Sequence, residues 1–197
     1  FEFIRALGVT EKVLRWDIPV SEEDCEFARQ LIPDSDRPTL LISPCSSQRA
    51  RNFRNWLPEH YARVSDFASD TFGARVILTG GPTDLEKQYG EDISRLSRCT
   101  PVNMIGKTNL KQLLAVLSRA SVLLCPDSGP AHMATAAGTP VIGLYATSNR
   151  HRTGPYLSQD LVVDAYPEAV RRQFGKSVDE LPWGARVRDP AAMELIS

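Results

Sequence analysis

The feature that most constrains this chain is one run, CPDSGPAHMATAAGTPVIGLYATSNRHRTGPY, from Cys125 to Tyr156. It leaves an apolar stretch, Val122-Leu123-Leu124, and turns through Pro126-Asp127-Ser128-Gly129-Pro130. It continues through small residues from Ala131 to Ala137, stops at Gly138 and becomes apolar again from Pro140 to Tyr145. The pattern predicts strand, tight turn, helix, strand. Two strands joined by a crossover helix run parallel. A helix that starts at the carboxyl end of such a strand presents unbonded N–H groups and the positive end of its dipole. The turn at Asp127 to Gly129 therefore reads as a place to hold a phosphate.

The same alternation extends upstream. Thr39 to Ser43, Arg75 to Thr79, Val102 to Ile105 and Val122 to Cys125 read as short strands. Glu59 to Phe72 has helical spacing at Tyr61, Val64, Phe67 and Ala68, and ends at Gly73. Thr83 to Leu96 is a second helix, and Asn109 to Leu117 a third with Leu110, Leu113, Leu114 and Leu117 on one face. The strands are nearly continuous in apolar residues, which predicts burial on both faces of a parallel sheet. The expected fold is α/β, a doubly wound, Rossmann-like parallel sheet with ligands at the carboxyl ends of its strands.

Ahead of this region, Arg15 to Val20 looks extended. Ser21-Glu22-Glu23-Asp24 looks like a capped helix start, and Pro33 to Pro38 like a linker. After Tyr156, Leu161-Val162-Val163 is a candidate last strand, and Pro167 to Phe174 and Pro190 to Ile196 are candidate helices. The expected division is residues 1–38 as an inter-domain segment and linker, and 39–197 as a nucleotide-sugar-binding domain with a carboxy-terminal tail. The chain opens on Phe1 rather than methionine, which suggests a fragment of a longer protein.

The formal net charge of the 197 residues is -1, so no bulk field favours nucleic acid or an anionic membrane, and anion binding must come from local arrangement. No apolar run is long enough for a membrane-spanning helix. Cys25, Cys45, Cys99 and Cys125 include no C-x-x-C pair and read as free thiols. No spacing of Asp, Glu and His suggests a metal site.

The loops after the strands carry the candidate chemistry. Ser43 to Arg54 combines hydroxyls with Arg49, Arg51 and Arg54, suited to phosphate oxygens or simply to solvent. Gly80-Gly81-Pro82-Thr83-Asp84-Leu85-Glu86 offers a tight turn with an acidic group for ribose hydroxyls, or plain helix capping. Lys107 points to the same crevice or to water. Gly129, Ala131 and His132 follow the turn with their N–H groups intact, while Asp127 or Ser128 can cap the helix. Thr147 to Pro155 is polar and basic and adjoins the presumed phosphate site.

Taken together, these segments resemble the carboxy-terminal domain of the family 9 glycosyltransferases, the heptosyltransferases of lipopolysaccharide core synthesis. The residues that carry the resemblance are Ser43 to Ser47 with Arg54-Asn55-Trp56-Leu57-Pro58, then Gly80-Gly81-Pro82, then Gly106-Lys107-Thr108 before Leu110. The strongest are Asp127-Ser128-Gly129-Pro130-Ala131-His132 and Thr153-Gly154-Pro155-Tyr156. They occur in order over about residues 39–163. Two departures stand out: Arg54-Asn55 replaces a common Lys-Arg pair, and Thr147-Ser148-Asn149 replaces a Pro-Thr-Asp type of sequence.

The resemblance implies the carboxy-terminal half of a GT-B enzyme that moves heptose from ADP-heptose onto the lipopolysaccharide inner core, with inversion and without a metal or other cofactor. It implies that Ser128, Gly129, Ala131 and His132 meet the diphosphate, with Ser46 and Ser47 near it and Arg54 stabilising the leaving group. Asp84 or Glu86 would lie near the ribose, and Met104 and Gly106 would line the adenine pocket, with Lys107 nearby. Asp127 would approach the sugar or the loop that holds it. The general base of the family belongs to an amino-terminal acceptor domain outside this chain. The implied partners are an ADP-sugar, the lipopolysaccharide core and that domain, with no nucleic acid. The implied location is cytoplasmic, at most peripheral at the inner membrane of a Gram-negative bacterium. An epimerase-like nucleotide-sugar enzyme and a non-catalytic nucleotide-binding module remain as alternatives.

Overall fold

A computed structural model describes residues 2–11, 13–46 and 52–197, apart from the Glu2 side chain. Six strands form one sheet: β1 (Thr39–Ile42), β2 (Arg75–Leu78), β3 (Val102–Asn103), β4 (Val122–Pro126), β5 (Val141–Tyr145) and β6 (Val163–Asp164). Their order is β3-β2-β1-β4-β5-β6 and every pair is parallel. The chain winds outward from β1 to β3, returns to the centre, and winds outward again from β4 to β6. The reversal lies between β1 and β4, so a crevice opens at their carboxyl ends. The expected doubly wound sheet is therefore present.

Both faces of the sheet are covered, and the strands alternate between two cores. Leu40, Ile42, Val76, Leu78 and Leu124 face one side, where they meet Tyr61 and Ala68 of α3 (Pro58–Phe72), Ile93 of α4 (Asp84–Leu96) and Val170 of a late helix, Tyr166–Phe174. Leu41, Ile77, Leu123 and Cys125 face the other side. There they meet Ala28 of α2 (Glu22–Leu31), Leu113 and Leu117 of α5 (Leu110–Arg119), and Ala131 and Ala134 of α6 (Gly129–Ala137). Two short helices, α1 (Glu2–Ala6) and α7 (Arg150–Thr153), and Tyr166–Phe174 as α8 are the other α-helices among the described residues.

Local chemistry sets the helix ends. Ser21 caps α2 by accepting from the Asp24 amide at 3.1 Å. Asn109 and Gln112 form a reciprocal capping box on α5. Gly73 and Gly138 end α3 and α6 with φ of 60° and 80°, a region that favours glycine. Inside α4, Gly90 has another reason: a Cβ there would stand 2.7 Å from Asn103 Nδ2 and 2.8 Å from Ile105 Cδ1, so glycine lets α4 lie close to β3 and its exit.

Several expectations change. Leu110 is 73% exposed rather than on the buried face of α5. It is the first residue of that helix, and its side chain leans past the helix end, beyond the layer that α5 covers. Phe67 is 60% exposed; the buried stripe of α3 runs through Tyr61, Ala62, Ser65 and Ala68, and the Ser65 hydroxyl fits there by donating to the Tyr61 carbonyl at 2.8 Å. The third strand keeps only Val102 and Asn103 in the ladder. Arg15 to Val20 joins no strand. The last strand is Val163–Asp164, after a 3-10 turn at Gln159–Leu161, and the second tail helix is a 3-10 turn at Ala192–Leu195.

Candidate functional site

The loops after β1 and β4 meet at the reversal point. Arg54, from the first loop, donates from Nη1 to the Asp127 carbonyl at 3.1 Å and approaches Asp127 Oδ2 at 3.3 Å. Its Nε donates to Asn52 Oδ1 at 2.9 Å, and Asn52 Nδ2 donates to Ser46 Oγ at 3.0 Å. The Ser46 amide donates to Asn55 Oδ1 at 2.9 Å. Ser46, Arg54 and Asp127 are thus brought together by one polar chain, which ends at the residue before Ser128. Ser47, Arg49 and Arg51, also candidates, lie outside the described residues.

Asp127 is the centre of this chain and is buried. Its Oδ2 accepts from Ser148 Oγ at 2.8 Å and has Arg186 Nη1 at 3.8 Å. Capping is not its role. Ser128 occupies the cap position of α6, but among the described residues no side chain caps that helix. Ser128 Oγ is buried without a nitrogen or oxygen partner, and the Cys125 thiol is its polar neighbour. The Ala131 amide donates to the Ser128 carbonyl at 3.2 Å. Gly129 is exposed, and a Cβ there would meet nothing within 4 Å among the described residues. His132 projects into solvent from the first turn. A helix start that no described side chain caps, with an exposed Gly129 and a guanidinium beside it, is suited to an anion.

The loops after β2 and β3 form a second group. The Glu86 carboxylate accepts from the Gly81 amide at 2.7 Å and from Thr83 Oγ1 at 2.6 Å, so it braces its own turn. Asp84 stands exposed in the first turn of α4. Gly106 has φ of 73°, and a Cβ there would lie 3.2 Å from Pro82 Cα, which places the two turns in contact. Met104 packs partly into the α5 side of the core. Lys107 turns back instead of entering the crevice: its Nζ donates to the Asn103 carbonyl at 2.8 Å.

Local contacts shape the second half of the loop from Thr147 to Tyr156. Gly154 donates its amide to the Arg150 carbonyl at 2.7 Å, and a Cβ on it would come within 2.3 Å of that oxygen. Tyr145 Oη donates to the Thr153 carbonyl at 2.9 Å. Thr153 and Gly154 are therefore held against α7 and the end of β5. Burial pushes the Tyr145 phenol well above its ordinary value, and the Asp127 charge adds to this. Burial pushes the Cys45 and Cys125 thiols up to about 12, so neither is a thiolate nucleophile at neutral pH.

Two contacts go beyond the sequence reading, one from Ser148 in the loop already singled out and one from Arg186, which that reading does not name. Ser148 reaches Asp127 across 21 residues. Arg186 belongs to the carboxy-terminal tail, which pairs with the loop after β5 through an antiparallel bridge between Ser148 and Arg186 and a 3.0 Å bond from the Val187 amide to the Thr147 carbonyl. No local signal announces either partner, because the pairing is set by the tail's path across the sheet.

Residues 2–183 match the family model described as glycosyltransferase family 9 (heptosyltransferase). The lipopolysaccharide core heptosyltransferase OpsX of Haemophilus influenzae is 45% identical over 194 residues, 98% of this chain and 54% of that protein. Lipopolysaccharide heptosyltransferase 3 of Escherichia coli K12 is 32% identical over 56% of this chain and 31% of its own length. Among solved structures, a family 9 glycosyl transferase from Veillonella parvula superposes with a TM-score of 0.73 at 23% identity, over 100% of this chain and 54% of that one. E. coli heptosyltransferase WaaC with ADP gives 0.61 at 18% identity, over 82% and 47%. The chain spans about half the length of the first two structures and of its 45% identical relative. With the family model covering most of its residues, the chain belongs to glycosyltransferase family 9.

Proposed function

We propose that this chain is the donor-binding part of an inverting glycosyltransferase that moves heptose from ADP-heptose to the lipopolysaccharide inner core. The observation that carries this is the start of α6 at the sheet's reversal point, capped by no described side chain, with Arg54 beside it. The name of the 45% identical relative supports heptose and the lipopolysaccharide core, and the ADP in the WaaC structure supports the nucleotide.

In this reading the ADP diphosphate lies before Ser128 and Gly129, within reach of the Ala131 and His132 turn, with Ser46 and Ser47 at its side. An acceptor hydroxyl attacks the anomeric carbon opposite the diphosphate, the sugar–phosphate bond breaks and ADP departs. Negative charge grows on the departing oxygen, and fixed donors aimed at that charge lower the barrier. Arg54 and the start of α6 supply them, which is why the reading requires no metal or other cofactor. Asp84 or Glu86 serves the ribose. Met104 and Gly106 serve the adenine, with Lys107 at the edge, and Asp127 orders the loops that face the sugar. The general base comes from an amino-terminal acceptor domain. No described helix is long and apolar enough to cross a membrane, and the reading places the enzyme in the cytoplasm, in peripheral contact with the inner membrane.

The test is a calorimetric titration of this chain with ADP, UDP and GDP. ADP is expected to bind with a Kd of about 100 μM, equivalent to about 5.5 kcal/mol. Preference for UDP or GDP would replace the donor, and absence of binding by all three would remove the nucleotide reading.

A further inference from the structure

Arg54 and Arg186 both approach Asp127, but they are held differently. Arg54 is nearly buried, with 16% of its side chain exposed, and its Nε and Nη1 are engaged. Arg186 keeps 39% of its side chain exposed, and at 3.8 Å it makes an ion-pair approach to Asp127 without a hydrogen bond. Asp127 Oδ2 does not need it as a donor, because Ser148 Oγ and Arg54 already serve that oxygen. One carboxylate thus faces two guanidinium groups, which leaves a local surplus of positive charge. Arg152 lies close by: its Cζ is 3.9 Å from where a Cβ on Gly184 would stand. Both Arg152 and Arg186 act electrostatically on the Tyr166 phenol, against burial, with Asp164 opposing them. The backbone of Arg186 is tied by its bridge to Ser148, so the side chain reaches the site from a fixed base. A guanidinium with its donors open, fixed at its base and beside an uncapped helix start, is equipped for bidentate contact with phosphate.

We infer that Arg186 is a further ligand of the donor's diphosphate, carried into the site by the carboxy-terminal tail. This rests on the donor-site reading above. It makes the tail part of the binding site as well as part of the core. Arg54 is then the cation locked into the floor of the crevice, and Arg186 the one that turns from Asp127 to the incoming anion.

The test compares the chain with Arg186→Gln, Arg186→Lys and, as a control on the same tail, Arg188→Gln, titrated with ADP and with inorganic pyrophosphate. Arg186→Gln is expected to weaken both about tenfold, or about 1.4 kcal/mol. The loss should shrink at high salt, where exposed charge is screened. Arg186→Lys should recover part of the affinity, and Arg188→Gln should match the parent chain. If the parent binds ADP and Arg186→Gln binds it equally well, the inference is wrong while the donor reading stands. A loss accompanied by a lower Tm and not recovered by lysine would make Arg186 structural, and would also overturn it. If the parent binds neither ligand, the donor reading fails first and the inference falls with it.

Discussion

Asp127 carries a charge into a position with only 8% of its side chain exposed, and such a charge persists only where it is paired. Ser148, Arg54 and Arg186 do this from 21, 73 and 59 residues away. Asp127→Asn keeps the shape and removes the charge, leaving the nearly buried Arg54 without a counter-ion. Breaking a fully buried pair costs about 3–5 kcal/mol; here Arg186 and the open crevice admit water, so about 2 kcal/mol is expected. In a chain of this size that lowers Tm by roughly 4–8 °C. Urea unfolding at neutral pH measures it directly. Equal midpoints for the two proteins would mean that the carboxylate does no more than an amide could. At this scale the sequence was readable for residue type but not for partner. Asp127 and Arg54 were visible as candidates, yet their direct contact was not, because nothing in a local pattern records which residues 73 positions apart will meet.

The elements were more legible, because their ends are set by neighbours in sequence. Ser21, Thr83 and Asn109 cap where hydroxyl and amide residues precede apolar spacing. Leu110 and Phe67 are exposed against expectation because spacing gives a helix's apolar stripe but not how far the layer beneath it extends. What fixes one element against another is sometimes a single polar contact. Asp66 on α3 accepts from the Arg98 and Cys99 amides at 2.8 and 2.9 Å and from Arg98 Nε at 3.2 Å, which ties α3 to the entry of β3. Burial raises the Asp66 pKa, but the Cys99 amide, the Arg98 side chain and the Arg98 amide outweigh it and hold the group below its ordinary 3.8. A carboxylate with a depressed folded value contributes stability above its unfolded value and loses it as pH falls through the folded one. Asp66→Asn should therefore lower Tm at pH 7, and the gap from the parent should close as both are taken to about pH 2.5. A gap that stayed constant across that range would show that the amide contacts, not the charge, make the tie.

For the whole molecule, the feature that sequence could not supply is how the tail closes. Its pieces were recognisable as helix-forming, but whether they cover this sheet or another domain depends on contacts spanning the chain. Trp56, just past the first loop, donates from Nε1 to the Ile196 carbonyl at 2.8 Å, across 140 residues. Its ring stacks on His60 with centroids 4.8 Å apart and meets Tyr61 edge-on at 5.2 Å. Val187, Ala192, Met193 and Ile196 are buried in the same core. The loop that carries Arg54 and the tail that carries Arg186 are thus pinned through one indole. Trp56→Phe removes the donor, leaves a buried carbonyl unpaired and thins the packing. The expected cost is about 1–3 kcal/mol. The consequence should also be uneven. The Val187 amide, bonded to Thr147 at the edge of the tail, should exchange with solvent faster, while amides in the β1–β4 ladder keep their protection until the chain unfolds globally. Hydrogen exchange read residue by residue separates the two. Faster exchange confined to the tail would show that the indole holds the tail down as a unit. Unchanged exchange at Val187 would mean that the bridge to Thr147 and Ser148 holds the tail without it.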